Sequence, residues 1–334
     1  MNKYHIRGGR KLSGKVEISG AKNAVLPILA ASIISKGENN FQSCPEISDV
    51  GNMLRILKSL GCGTALSEEV ISVKADNLSE YAIQDELMKE MRSSVFLAGA
   101  LLARCGEAVI SNPGGCKIGK RPIDIHIKGL KQLSVDVKYR DDRIFLYGKN
   151  MKGARIRLDY PSVGATENLM LAAVGAEGTT IIENSAREPE IFDLQNYINA
   201  CGGCVSGAGS STVVIEGGKK LKGCCYRIIP DRIEAGTYML MAVATEGEVF
   251  LEGINRDYLG VLIDILEDAG VVFRFESDGI YVKADCIKNI NRHIKTEPFP
   301  GFPTDLQPQM VAMLTKYGAG SKVSENIFEN RYKF

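Results

Sequence analysis

The chain has 334 residues, which at roughly 150 residues per domain is enough for about two domains, and its 45% hydrophobic and 24% charged residues are those of an ordinary globular protein. That composition excludes a disordered tail, a collagen-like fibre and a disulfide-stapled miniprotein. Lys and Arg (41) against Asp and Glu (40) leave a net charge of +1, so no global basic field holds a nucleic acid or an anionic membrane, and an anionic ligand must be met by local charge.

The opening residues, Met1 to His5, contain no apolar core and no small-residue cleavage site, so nothing directs export and a cytosolic location is expected. The most apolar stretch, Ala24 to Ile34, is too short to cross a bilayer and holds Pro27 and Ser32. It reads instead as a buried helix around Leu26-Pro-Ile-Leu-Ala30. The same kind of helix recurs at Phe96, Asn168, Tyr238 and Pro308, with starts 70, 72, 70 and 70 residues apart. A fixed period of this length marks an internal repeat, here in five copies. Each helix is expected to end at a left-handed glycine (Gly37, Gly106, Gly178, Gly247, Gly320), with a β-rich run after it. In the first four copies an Asp (Asp49, Asp124, Asp193, Asp257) is expected to open a second, amphipathic helix. Three of these close on Gly61, Gly202 and Gly270, and two short strands complete the unit. The order within a copy is helix, strand, helix, strand, strand. The fifth copy stops after its first helix and strand, at Phe334. Six copies would need roughly 420 residues, so a C-terminal truncation is expected, with a destabilised second half.

Chemistry concentrates in Pro113-Gly-Gly-Cys-Lys-Ile-Gly-Lys-Arg-Pro-Ile-Asp124. Its three glycines let backbone amides approach a ligand, while Lys117, Lys120 and Arg121 surround Cys116 with positive charge. Pro122 suits the first position of a helix, so the loop ends at a positive helix terminus and an anion is the expected guest. The same charges lower the pKa expected of Cys116 and make it the reactive thiol among nine. Gly114 to Lys120 formally spells G-x-x-x-x-G-K, but Arg121 stands where a Walker loop needs a Ser or Thr hydroxyl for Mg²⁺.

The heads of the repeat helices carry polar residues in register: Lys22 and Asn23, Arg92, Ser162 with Val163 and Gly164, Asp231 with Arg232, and Thr304 with Asp305. Capping explains Ser162, Asp231 and Asp305 well. It explains Lys22 and Arg92 poorly, because a cation opposes the dipole at a helix N-terminus, and bound anions are the better reading there. Cys201-Gly-Gly-Cys204 aligns with the turn at Gly61-Cys62-Gly63 and has no Cys or His pair at zinc spacing, so it reads as an ordinary helix-to-strand turn. The three histidines are too dispersed for a metal site, and His126 is expected to pack beside the Cys116 loop.

Six motifs in order, namely Lys22-Asn23, Pro113 to His126, Pro161 to Thr166, Pro230 to Thr237, Pro300 to Gln307 and Ile327 to Tyr332, resemble the UDP-N-acetylglucosamine 1-carboxyvinyltransferase family of enolpyruvyl transferases. The resemblance runs the length of the chain. It implies an inside-out α/β barrel of two domains built from βαβαββ-like repeats, one at 22–229 and an incomplete one at 1–21 with 230–334. It further implies that phosphoenolpyruvate and UDP-N-acetylglucosamine react by addition and elimination, without metal or organic cofactor, in the first committed step of peptidoglycan precursor synthesis. On this basis Cys116 protonates the methylene carbon of phosphoenolpyruvate, Lys22 and Arg121 hold its phosphate, and Asp305 takes the proton of the sugar hydroxyl. Asn23, Arg92, Arg121, Pro122, Ile123, Asp124, Ile125, Ser162, Val163, Gly164 and Ile327 would contact the nucleotide sugar, and Arg331 the phosphoenolpyruvate side. The family continues past the position of Phe334, which leaves two further readings open: a non-catalytic fragment that binds UDP-sugar, or one half of a split enzyme that works with a complementary C-terminal chain. A shikimate-type transferase would not need the Cys116 loop.

Overall fold

A computed structural model describes Lys3 and residues 5–67, 70–111, 113–114 and 123–334. In chain order the elements are β1 (Ser13–Glu17), α1 (Lys22–Ala31), β2 (Glu38–Gln42), α2 (Ser48–Ser59), β3 (Gly63–Leu66) and β4 (Val70–Lys74). There follow α3 (Asp85–Glu90), α4 (Phe96–Cys105), β5 (Glu107–Ser111), α5 (Asp124–Gln132), β6 (Asp136–Arg140) and β7 (Arg143–Tyr147). The third copy is β8 (Arg155–Arg157), α6 (Val163–Val174), β9 (Thr179–Glu183), α7 (Pro189–Ala200), β10 (Val205–Ser206) and β11 (Thr212–Glu216). The fourth is β12 (Cys225–Arg227), α8 (Arg232–Thr245), β13 (Glu248–Glu252), α9 (Gly260–Asp268), β14 (Val272–Glu276) and β15 (Gly279–Lys283). The chain closes with β16 (His293–Lys295), α10 (Gln307–Tyr317) and β17 (Lys322–Ser324). The order helix, strand, helix, strand, strand thus holds through four copies.

Two compact units result, a large one of Gly20–Ile229 and a small one of Met1–Ser19 with Pro230–Phe334. In the large unit α1, α4 and α6 pack against one another and are buried almost all round, Ala24 to Ala31, Phe96 to Leu102 and Ala165 to Val174. A helix apolar on every side must be surrounded, and this is why the buried parts of α1 and α4 read as unbroken apolar runs, while α6, equally buried, carries Thr166, Glu167 and Asn168 ahead of its apolar run. Outside them lie the amphipathic α2, α5 and α7 and three sheets, ordered β12-β2-β4-β3, β5-β7-β6 and β10-β11-β9-β8. Helices inside and sheets outside make an inside-out α/β barrel. Each sheet is an antiparallel set joined by a parallel lead strand, β12 on β2 and β8 on β9, or by the single bridge Ala82 to Val109 on β5. The small unit repeats the scheme with β1-β13-β15-β14 and the parallel pair β16-β17. Its lead strand β1 precedes α1 in the chain yet pairs with β13, while β12 precedes α8 yet pairs with β2, so the two units exchange lead strands.

The second helices close at Gly61, Gly202 and Gly270 as expected, and each of these glycines is left-handed. The expectation for the apolar helices needs correction. Gly106 does cap α4 at φ 74, but α1, α6 and α10 end at Ser32, Gly175 and Gly318, ahead of the left-handed Gly37, Gly178 and Gly320, and α8 ends on Glu246 in the left-handed region. Gly247 serves a close approach instead, since a Cβ there would stand 2.3 Å from the Leu12 carbonyl oxygen. Asp193 does not open α7 either. That helix starts at Pro189, and Asp193 is buried within it, accepting from the Tyr226 hydroxyl at 2.6 Å and from Ile229 N. Asp257 lies in a 3-10 turn, Arg256–Tyr258, ahead of α9.

Candidate active site

In the large unit the helix entrances gather the polar residues. Lys22 and Asn23 are the first two residues of α1, and Lys22 Nζ lies 2.5 Å from Asp49 Oδ2 in the first turn of α2. The carboxylate offsets the unfavourable placement of a cation at a helix N-terminus, and it is the kind of partner that an incoming anion would replace. Arg92 begins a 3-10 turn, Arg92–Val95, that runs into α4. Ile123 is the N-cap residue of α5, followed by Asp124 and Ile125. Ser162 caps α6 by accepting from Ala165 N at 3.3 Å, with Val163 and Gly164 next.

Three of these entrances meet at His126. The imidazole is buried on α5, and a side chain at Gly164 would lie 3.5 Å from both His126 Cε1 and Phe96 Cε1, so α4, α5 and α6 converge there. Burial, reinforced by the positive charge of Arg92, lowers the His126 pKa to about 3, leaving the ring neutral. Its Nδ1 is 3.1 Å from Asn168 Nδ2. Asn168, which sequence reasoning used only as a repeat landmark, bridges to α4 by accepting from Gly99 N at 2.8 Å. Cys116, Lys117, Lys120, Arg121 and Pro122 lie outside the described residues.

The small unit holds the remaining candidates. Asp305 sits in a 3-10 turn, Thr304–Leu306, that leads into α10. Capping was one expectation for it, but its Oδ1 accepts from Arg331 Nη2 at 2.9 Å, and Asp305 makes no cap bond. The Arg331 side chain is 15% exposed, that of Asp305 40%, so the pair presents its carboxylate side to solvent. Glu325, which no sequence pattern flagged, ties the two segments together. Its Oε2 accepts from Thr304 Oγ1 at 2.9 Å, and its Oε1 accepts from Ile327 N at 2.9 Å and Phe328 N at 3.0 Å. Asp231 is a true cap, accepting from Ile233 N and Glu234 N, while Arg232 is buried with its guanidinium over the Phe299 ring. Cys201 and Cys204 sit in the turn expected for them, and both are free thiols. No helix among the described residues is long and apolar enough to cross a membrane.

Residues 6–334 match the family profile of EPSP synthase (3-phosphoshikimate 1-carboxyvinyltransferase), and the chain belongs to that family. The enolpyruvyl transferase NikO from Streptomyces tendae superposes with a TM-score of 0.85 over 98% of this chain and 78% of that one, at 21% identity. EPSP synthase from Acinetobacter baumannii gives 0.66 over 92% and 70%, at 19% identity. These two likenesses establish the fold. Within the family, the chain is 48% identical to UDP-N-acetylglucosamine 1-carboxyvinyltransferase 2 of Caldanaerobacter subterraneus subsp. tengcongensis, over 100% of this chain and 80% of that protein. It is 45% identical to the UDP-N-acetylglucosamine 1-carboxyvinyltransferase of Halothermothrix orenii, over 99% and 80%. The corresponding enzyme 1 of Staphylococcus epidermidis is 44% identical over 99% and 80%. The chain is thus a member of the UDP-N-acetylglucosamine 1-carboxyvinyltransferase group of this family.

Proposed function

We propose that the chain transfers the enolpyruvyl group of phosphoenolpyruvate to the 3′-hydroxyl of UDP-N-acetylglucosamine, releasing phosphate. The observation that carries this reading is 48% identity, along the whole chain, to a relative named for that activity. The placement of Lys22, Arg92 and Ser162 to Gly164 at helix entrances of one unit supports it. Cys116, in its cationic loop, donates a proton to the methylene carbon of phosphoenolpyruvate while the sugar oxygen bonds to the central carbon and Asp305 takes the hydroxyl proton. Return of a proton from the new methyl group to the Cys116 thiolate then expels phosphate and leaves the enol ether. Lys22 and Arg121 neutralise the phosphate as it binds and departs, and Arg331, which donates to the Asp305 carboxylate at 2.9 Å, is assigned the phosphoenolpyruvate side. Asn23, Arg92, the segment 121–125, Ser162 to Gly164 and Ile327 hold the nucleotide sugar.

The test is phosphate release, with mass spectrometry of the product, from phosphoenolpyruvate offered with either UDP-N-acetylglucosamine or shikimate 3-phosphate. Release with the nucleotide sugar alone is expected. Release with shikimate 3-phosphate instead would overturn the assignment of the acceptor. The assay is run on the chain alone and with the C-terminal segment of a relative added as a separate chain, the complementary partner that the resemblance leaves open.

A further inference from the structure

One buried polar bridge in the large unit has no part in the chemistry above. Asn168 lies on α6 with no exposed surface, and its amide joins two other helices, bonding Gly99 N on α4 and His126 Nδ1 on α5. A backbone N–H can only donate, so the amide oxygen must face Gly99, which turns the amide nitrogen toward the ring. That nitrogen also only donates, so His126 Nδ1 must accept, and the ring proton resides on Nε2. An imidazolium would set one N–H against another in a dry site. The Cε1 to Nε2 edge faces the entrance of α6, where a Cβ at Gly164 would lie 3.5 and 3.7 Å from those atoms and glycine places none. Among the described residues, the charge that bears on the ring is Arg92, itself at a helix entrance.

We propose that Asn168 is a positioning residue that holds His126 in the Nε2–H tautomer, so that the ring offers an uncharged hydrogen-bond donor beside Ser162 to Gly164 for an oxygen acceptor of the nucleotide sugar. The ligand in this statement rests on the function proposed above. The tautomer rests on the hydrogen-bond geometry alone. A donor fixed in this way keeps its proton across neutral pH, unlike an ordinary histidine, which changes charge there. It also adds nothing to the local positive charge, which leaves recognition of anionic groups to Arg92 and the cationic loop.

The experiment uses the full chain with ¹⁵N-labelled histidine, whose ring nitrogens report tautomer and charge directly. Only three histidines are present, His5, His126 and His293, and His126→Gln assigns the signal. The expected spectrum shows His126 as a neutral Nε2–H ring that does not titrate between about pH 5 and about pH 8. Asn168→Asp preserves an acceptor for Gly99 N but replaces the donor facing the ring with a carboxylate. In that variant the proton should move to Nδ1, the ring should titrate at higher pH, and affinity for UDP-N-acetylglucosamine at neutral pH should fall roughly tenfold. A wild-type ring that is charged or protonated at Nδ1 at neutral pH overturns the proposal without any variant. So does an Asn168→Asp protein with the shifted tautomer and unchanged sugar affinity. A wild-type chain with the expected tautomer that binds no nucleotide sugar overturns the functional reading instead, and with it the ligand assigned to this donor.

Discussion

Gly99→Ala places one methyl group at the closest approach of α4 and α6. Built on the backbone, its Cβ stands 2.2 Å from the Asn168 carbonyl oxygen, 2.7 Å from Asn168 Oδ1 and 3.1 Å from Ala172 N. The first and last are main-chain atoms of a buried helix and cannot rotate away. Helix propensity favours alanine over glycine by about 1 kcal/mol. Against this, overpacking costs about 1–3 kcal/mol, and a Gly99 N–H separated from Asn168 is a buried donor without its acceptor, worth roughly another 1–3 kcal/mol. The steric and polar costs win, with a net destabilisation of about 3 kcal/mol. For a domain of this size, each kcal/mol moves the melting temperature by about 2–4 °C, so a drop on the order of 10 °C is expected in a calorimetric scan. Hydrogen exchange should locate the loss in α4 and α6. Gly51→Ala is the control, because Gly51 sits exposed in α2 with no atom within 4 Å of a built Cβ, and there propensity alone should raise stability by up to about 1 kcal/mol. Equal or higher melting temperature in Gly99→Ala would refute the close-packing argument.

Other perturbations separate stability from chemistry. Glu167 is wholly buried on α6 with no partner for Oε1, and burial followed by the charges of Glu190 and Glu188 raises its pKa well above the usual 4.5. The folded chain therefore keeps a proton that the unfolded chain releases above that pH, and stability is lost as pH rises. Glu167→Gln should remove this loss, gaining up to about 1.4 kcal/mol over wild type per pH unit above the unfolded value in denaturant melts; parallel pH profiles would contradict it. An anionic epoxide such as fosfomycin should label Cys116 faster than the other thiols, because burial pushes Cys62 up to about 11 and Cys201 up to about 12. Equal labelling of the three in tryptic peptides would show that the loop confers no reactivity. Asp305→Ala should abolish turnover while changing UDP-N-acetylglucosamine affinity less than tenfold by calorimetry, since Asp305 caps no helix; collapse of binding would assign it a structural role.

The repeat was legible because of a physical constraint that acts on every copy alike. In the large unit α1, α4 and α6 are buried almost all round, and α8 and α10, though only partly buried, repeat the same landmarks at the same spacing, which leaves a signature that composition alone cannot produce by accident. The turns at Gly61, Gly202 and Gly270 were legible for a similar reason, since each needs a positive φ that only glycine adopts freely. The failures have the opposite character. Gly247 and Asp193 were assigned local roles, helix stop and helix start, but their places are set by neighbours far away in the chain, the Leu12 carbonyl in one case and Tyr226 with Ile229 in the other. Pro189, at the first position of α7, is the local signal that marks the start of that helix.

The same division runs through the candidate site. Lys22, Arg92 and Ser162 stood out because a residue at a helix entrance acts on backbone groups next to it in sequence, so type and position suffice to raise the question of an anion or a cap. Asn168, Asp49 and Glu325 could not stand out, because each acts on a group that the fold alone brings near. Asn168 meets His126 across 42 residues and Gly99 across 69. What the sequence does carry is the residue type: an amide that, with Thr166 and Glu167, opens a buried and otherwise apolar helix has no reason to be there unless it has partners. Its oxygen and nitrogen cannot both accept, so once one partner is a backbone N–H, the protonation of the other is determined. Placing α4, α5 and α6 around that amide therefore settles a property of His126 that its own neighbours in sequence leave open.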